Sequence, residues 1–310
     1  MEIKPSDVLY IKLGRGGKWE YESIMENQIL KFGYGKISHE LCLRGDWDEI
    51  KEQWKKSREN EGAITRDINQ IRKFYEAGED VLWITFHANL LWWCFSKPDI
   101  TLIDENKKIR PVIDKWKCTD VNENELKTDR LRGSLVSIQG FRGTICSVKD
   151  AQYVIDKING KTPTYVEDAH KALRILVDRL EKVIKHLNWK DFEILMDLIF
   201  RQAGWQRVSE LGGSQKTIDL DLISPITKKK YAVQVKSQAN LVTFEKYKNE
   251  FRDMQGYYQI YFAVHSPSQD LENYSESEES EEFKVELLLP HRIAELALKL
   301  GLTNWILDKF

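Results

Sequence analysis

Three side chains in one short stretch of this sequence are of types that could do chemistry together: Asp219, Gln234 and Lys236, within IDLDLISPITKKKYAVQVK at residues 218–236. The first arm alternates, with Ile218, Leu220 and Leu222 on one face and Asp219 and Asp221 on the other. Ser224 and Pro225 interrupt it, and residues 227–230 make a polar turn. The second arm puts Tyr231, Val233 and Val235 on one face and Ala232, Gln234 and Lys236 on the other. The pattern predicts a β-hairpin that sends its polar groups out on one side. A carboxylate, a carboxamide oxygen and an ammonium converging there suit a hard divalent cation held beside a phosphate. The plainer account is an amphipathic hairpin with solvated charges. Against it stand Val233 and Val235, which flank Gln234 and Lys236 in a strand expected to be central, where a buried lysine needs a partner.

The elements before the hairpin would position these groups. Asn188 is placed to cap a helix whose Phe192, Leu195, Met196, Ile199 and Phe200 face a core, with Glu193 beside that stripe and Gly204 as its stop. Trp205 follows, then Gly212-Gly213. After the hairpin, residues 242–254 predict a helix with Phe244, Tyr247 and Phe251 inward, and QIYFAV at 259–264 a core strand. SESEESEE lies in a polar, acidic stretch expected to be a solvated loop. Residues 285–289 predict a last strand and 292–309 an amphipathic helix.

Asp219 followed by Gln234-Val235-Lys236 resembles the PD-(D/E)xK nuclease superfamily in its QxK form. With Phe192-Glu193, Gly204-Trp205 and Gly212-Gly213 in front of it, the segment from Trp189 to His265 is similar to the catalytic domain of Mrr-type restriction endonucleases. That resemblance implies an α/β/α restriction-endonuclease-like core and Mg²⁺-dependent phosphodiester hydrolysis of double-stranded DNA. It implies that Asp219 holds the metal, with the carbonyls of Gln234 and Val235 beside it, and that Lys236 orients or deprotonates the attacking water. Glu193 would bind metal through water, and Asp221 is the alternative to Asp219. Many relatives carry an acidic residue where Gln234 stands, so the negative charge must come from Asp219, Asp221 or Glu193.

The chain has 310 residues, enough for two domains, with an ordinary apolar content of 42%. A net charge of −2 excludes a globally basic nucleic-acid binder and leaves a local patch. Cys42, Cys94, Cys118 and Cys146 are widely spaced, without CxxC, and are expected to be reduced thiols rather than a disulfide frame or zinc site. No apolar run approaches membrane-spanning length and MEIKPSDVLY has no signal-peptide core, so the expected location is cytoplasmic.

Most of the ten tryptophans fall in the N-terminal half. VLYIKL predicts a first strand ended by Gly14-Arg15-Gly16-Gly17, a plain turn since no GK[ST] follows it. Residues 46–59 and 65–75 predict helices, with Trp47, Ile50 and Trp54, then Ile68, Ile71, Phe74 and Tyr75, at helical spacing. VLWITF and LLWWCF around His87-Ala88-Asn89 predict a hairpin. Trp92 and Trp93 are adjacent and point to opposite faces, so one is expected to face something other than the main core. With Trp19 and the late strand RGTIC, this half resembles PUA-like modules of the SRA, YTH and EVE kind, twisted β-barrels with helices that read a modified base in an aromatic pocket. The resemblance makes Trp19, Trp83, Trp92, Trp93 and Arg15 the candidate base- or DNA-binding residues.

The expected organisation is therefore an α+β two-domain chain: a recognition domain at 1–160, a connector helix at 161–188 and a nuclease domain at 189–310, divided near NGKTPT. Thr164 and Glu167 suit a capping box, and Leu173, Leu176, Val177, Leu180, Val183, Ile184 and Leu187 give the connector one apolar stripe, to pack on a domain or on the second subunit of a homodimer. The expected function is restriction of foreign DNA carrying modified bases. The alternatives are a type II enzyme reading an unmodified sequence and a non-catalytic binding module with a vestigial nuclease fold.

Overall fold

The computed structural model describes residues 2–34, 37–56, 60–104, 107–208, 218–252, 254, 256–274 and 285–310. Gly35, Gly212-Gly213 and the SESEESEE run lie outside them. The chain divides into two compact units, Met1–Pro163 and Thr164–Phe310. Among the described residues, no helix is long and apolar enough to cross a membrane.

The first unit contains β1 (Val8–Ile11), β2 (Ile29–Phe32), α1 (His39–Arg44), α2 (Trp47–Lys55), α3 (Glu61–Glu76), β3 (Leu82–His87), β4 (Leu90–Ser96), β5 (Thr101–Asp104), β6 (Lys107–Lys117), α4 (Gly133–Val136), β7 (Ile145–Ser147) and α5 (Ala151–Ile158). The strands form one curled sheet in the order β2-β6-β4-β3-β1-β7, with β5 on β6. β1 and β3 run parallel, and the other pairings are antiparallel. At the β3–β4 turn Ala88 and Asn89 both adopt left-handed φ, 50° and 61°, the twist that a two-residue hairpin needs.

This sheet is covered on both faces. On one, Leu9, Ile11, Phe32, Trp83 and Trp116 pack against Ile50 and Trp54 of α2 and Ile64, Ile68, Ile71 and Phe74 of α3. On the other, Val8, Tyr10, Ile84, Phe86 and Trp93 pack against Leu126, Leu135, Val154 and Ile158. Trp92 and Trp93 do face opposite ways, as the strand period requires, yet neither face is open. Trp93 is 6% exposed and Trp92 is half-buried against the first cluster. Their indole N–H groups donate to Thr119 O (2.8 Å) and His87 O (3.1 Å). Trp83 is fully buried. The expectation of one solvent-facing indole assumed a sheet with a single core face.

The glycine run is a short turn over Arg15–Gly17. Its shape suits Trp19: a Cβ at Gly14 would lie 2.8 Å, and one at Gly33 2.5 Å, from the Trp19 ring. Arg15 is exposed on that turn. Strand β6 also carries an unforeseen buried cation. Arg110, 0% exposed, donates to Phe74 O (2.7 Å) and Ala77 O (2.7 Å), satisfying carbonyls at the end of α3.

The second unit contains α6 (Thr164–Ile184), α7 (Trp189–Gln202), β8 (Gln206–Arg207), β9 (Leu220–Ile223), β10 (Lys230–Ala239), α8 (Leu241–Arg252), β11 (Gln259–Pro267), α9 (Gln269–Glu272), β12 (Val285–Leu288), α10 (Pro290–Lys299) and α11 (Thr303–Leu307). The sheet order is β12-β11-β10-β9-β8, so the hairpin's second arm is its central strand. β10 runs parallel to β11 and antiparallel to β9. Leu220, Leu222, Tyr231 and Val233 pack on α6, α7, α10 and α11, through Val177, Leu180, Phe192, Leu195, Ile293 and Ile306 among others. Ala232, Ile260, Phe262 and Val264 pack on Phe244 and Phe251 of α8. Helices thus lie on both faces of the sheet.

Candidate active site

The site forms where β9 stops pairing with β10. Register runs Lys230↔Ile223 through Val233↔Leu220, and the Asp219 N–H donates to Val233 O at 3.0 Å, one step past the last ladder pair. Beyond that point β10 continues without β9. Val235 N–H turns to the Asp219 side chain instead, donating to Oδ2 at 2.7 Å, and Gln234 Nε2 donates to the same oxygen. In a strand a residue's N–H and C=O lie on the same side. The Val235 carbonyl therefore faces the gap that β9 has left, beside Asp219.

Gln234 is 2% exposed, and its Oε1 is buried with no hydrogen-bond partner among the described residues. An orphaned acceptor is costly in a protein interior unless something fills it. Its neighbour is a carboxylate, so the missing group must be a cation or a donor. Asp219 Oδ1, Gln234 Oε1 and the Val235 carbonyl are all hard oxygens, which suits a divalent cation that keeps several waters. Among the described residues, no group of three or more His, Cys, Asp or Glu side chains could hold a metal. The candidate site depends on carbonyls rather than on an acidic cluster.

Burial pushes the Asp219 carboxyl above the ordinary aspartate range, and the nearby Glu193 charge adds to that. The Val235 N–H, the Lys236 ammonium and Gln234 pull the other way without overcoming burial. A negative charge held against its desolvation penalty favours binding of a cation.

Glu193 reaches this neighbourhood from α7, whose start is set by Asn188. The Asn188 side chain accepts from Lys190 N and Asp191 N, both at 2.9 Å. Glu193 is mostly buried and pairs with Lys190 at 3.1 Å. Lys236 is half-buried, with Nζ 4.9 Å from the centre of the Tyr247 ring on α8. It makes no ion pair among the described residues. Asp221 opposes Ala232 two residues further along the hairpin, so it is Asp219 that lies beside Gln234 and Val235. The polar face of the hairpin is thus largely enclosed, because α8 covers it.

Of the N-terminal candidates, Trp83 and Trp93 are in the core, Trp19 and Trp92 are half-buried, and Arg15 is exposed. Lys18 and Lys31 lie 4.9 and 5.4 Å from a Trp19 ring centre.

The sequence reading missed Asp197 and Arg207. Asp197 is 3% exposed on α7, and Arg207 donates to its Oδ1 (3.2 Å) and to the Asp219 backbone carbonyl (3.2 Å). The available signal was an aspartate inside the apolar run EILMDLIF, four residues after Glu193.

Residues 184–297 match a family model described as restriction endonuclease, of the Mrr catalytic type. No curated protein and no solved structure matches the chain. Restriction endonucleases generally use divalent metal ions, which agrees with the oxygen donors gathered around Asp219. The matched segment holds Glu193, Asp219, Gln234 and Lys236 together, and the protein is a DNA endonuclease that hydrolyses phosphodiester bonds.

Proposed function

We propose that the protein is a Mg²⁺-dependent restriction endonuclease in which Asp219, Gln234 and Val235 hold the metal and Lys236 serves the attacking water. The carrying observation is the buried Gln234 Oε1, unpartnered among the described residues, beside the Asp219 carboxylate. When bound, the cation supplies Lewis-acid stabilisation of the scissile phosphate and of the leaving oxygen. Asp219 provides the formal negative charge, and Gln234 Nε2 and Val235 N–H fix the direction in which Oδ1 points. The Lys236 ammonium, free of a carboxylate partner among the described residues, is available to orient water and to offset charge developing on the phosphate. Glu193 acts on Asp219 electrostatically, and its role in this proposal is to hold a metal-bound water.

In the same proposal the first unit is the recognition domain, a PUA-like module that selects foreign DNA carrying modified bases. What supports this is the exposed Arg15–Gly17 turn next to a half-buried Trp19 flanked by Lys18 and Lys31. The burial of Trp83 and Trp93 favours a second reading, in which the aromatics are core and an unmodified sequence is read. Digestion of unmodified, methylated and hydroxymethylated DNA in parallel, with Mg²⁺ and with EDTA, separates the two. Cleavage only of a modified substrate, and only with metal, is the expected result. Equal cutting of all three substrates removes the modified-base reading, and cutting in EDTA removes the metal.

A further inference from the structure

The geometry points to Arg207 as a positioning residue that fixes the Asp219 carboxylate and aligns Glu193 with it, through a buried clamp on Asp197. This rests on the proposed role of Asp219 as metal ligand and concerns what holds it in place.

Asp219 is half-buried at the point where the chain enters the sheet. It precedes β9, and β8 pairs with β9 at only two positions, Gln206↔Ile223 and Arg207↔Leu222. Val208 N adds one bond to Asp221 O at 2.8 Å. Among the described residues, the bonding between β8 and β9 runs no further than Val208 and Asp221, and the donor described on the Asp219 backbone carbonyl is a side chain. Arg207 Nη2 takes that place at 3.2 Å, while Nη1 of the same guanidinium donates to Asp197 Oδ1 at 3.2 Å. Asp197 Oδ2 is taken by Arg201 Nε at 3.0 Å. Side-chain exposures of 11% for Arg207 and 5% for Asp197 put the pair out of water.

Two consequences follow from the chemistry of the groups. A guanidinium is planar and its donors are fixed relative to one another, so holding Asp197 with one nitrogen fixes where the other points. The Asp219 carbonyl is thereby tied to α7. Second, Asp197 is four residues after Glu193 and shares its face of the helix. Anchoring Asp197 therefore also sets the rotation of α7 that carries Glu193 toward Asp219. One ion pair thus orients two groups of the active site. A lysine at this position could keep the charge opposite Asp197 but could not span both acceptors in a fixed plane.

The test uses the full chain and four variants: Arg207→Lys; Arg207→Met combined with Asp197→Leu, which removes both buried charges together so that neither is left unpaired; Arg201→Gln, which removes the exposed partner of the other Asp197 oxygen and leaves both Arg207 bonds in place; and Asp219→Ala. Each is measured for melting, for Mn²⁺ binding by calorimetry without DNA, for DNA affinity, and for cleavage rate. Arg207→Lys and the double variant should melt near the parent and bind DNA as it does. Their Mn²⁺ affinity and cleavage rate should fall about 10- to 100-fold, the usual effect of removing a group that orients a metal ligand. Arg201→Gln should match the parent throughout. Parental Mn²⁺ affinity and cleavage in a well-folded Arg207→Lys or double variant overturns the clamp. Asp219→Ala that binds Mn²⁺ like the parent shows instead that the metal site itself was misplaced, and the clamp falls with it.

Discussion

Gln234 donates its Nε2 proton to Asp219 Oδ2 and leaves its own buried Oε1 without a partner among the described residues. One side chain thus orients the carboxylate and presents the acceptor next to it. Gln234→Ala should cost about 1–3 kcal/mol in stability, because it strips a donor from a buried carboxylate. Gln234→Glu places a second carboxylate against Asp219 and should melt lower than the parent in EDTA, with recovery on adding Mg²⁺. Thermal melts of the three proteins in EDTA and in Mg²⁺ check this. A Glu variant indifferent to metal would show that no cation is bound there. Both effects on folding follow from burial, since Gln234 is 2% exposed.

Lys236→Ala should lower cleavage by about 10²-fold or more, the scale of general acid–base assistance, with DNA affinity within a few-fold of the parent. Its effect on melting should be small. The ammonium sits over Tyr247 at 4.9 Å, and such contacts contribute about 0.5–1 kcal/mol. Plasmid nicking rates and a DNA-binding isotherm measure both. A parental cleavage rate removes Lys236 from the chemistry.

Trp83→Ala and Trp93→Ala should each destabilise the first unit by about 3–5 kcal/mol, the cost of emptying a large buried site. Denaturant unfolding gives the number. Loss of DNA binding with normal unfolding in either variant would contradict their placement in the two cores.

His265, on β11, is 5% exposed, and burial lowers its pKa from 6.5. Its Nδ1 lies 2.8 Å from Ser266 Oγ and its ring meets Phe192 edge-on. With the folded pKa depressed, the unfolded chain binds the proton first as pH falls. The contribution is fully present above about 6.5, the unfolded value, and is lost as pH drops through the lower folded value. Melting followed from pH 7.5 to 5.5 should decline, and His265→Asn should flatten that decline. An unchanged slope in the variant assigns the acid sensitivity elsewhere.

A fragment of residues 164–310 retains both apolar clusters of the second unit and should unfold cooperatively by itself. It should nick DNA with little selectivity, whereas a fragment ending at residue 163 should bind without cutting. Limited proteolysis yielding no stable product near residue 163 would count against independent units.

The hairpin was legible from its alternating arms, although Ile218, expected on the face of Leu220 and Leu222, packs instead with Ala232 and Phe244 because the chain has left the ladder there. Helix α7 was legible because its apolar spacing, Asn188 cap and Gly204 stop are local signals. Gly212-Gly213, part of the same resemblance, lies outside the described residues. Other relationships were settled only in three dimensions. Strand period puts Trp92 and Trp93 on opposite faces, but it cannot say that both faces are covered, which depends on α2 and α3 on one side and on Leu126, Leu135 and α5 on the other. The enclosure of Gln234 likewise depends on α8 closing over the sheet. The tie from Asp197 through Arg207 to the Asp219 carbonyl joins α7, β8 and the segment that leads into β9. No local periodicity encodes it, because an ion pair between separate elements depends on where packing brings them and not on their spacing along the chain.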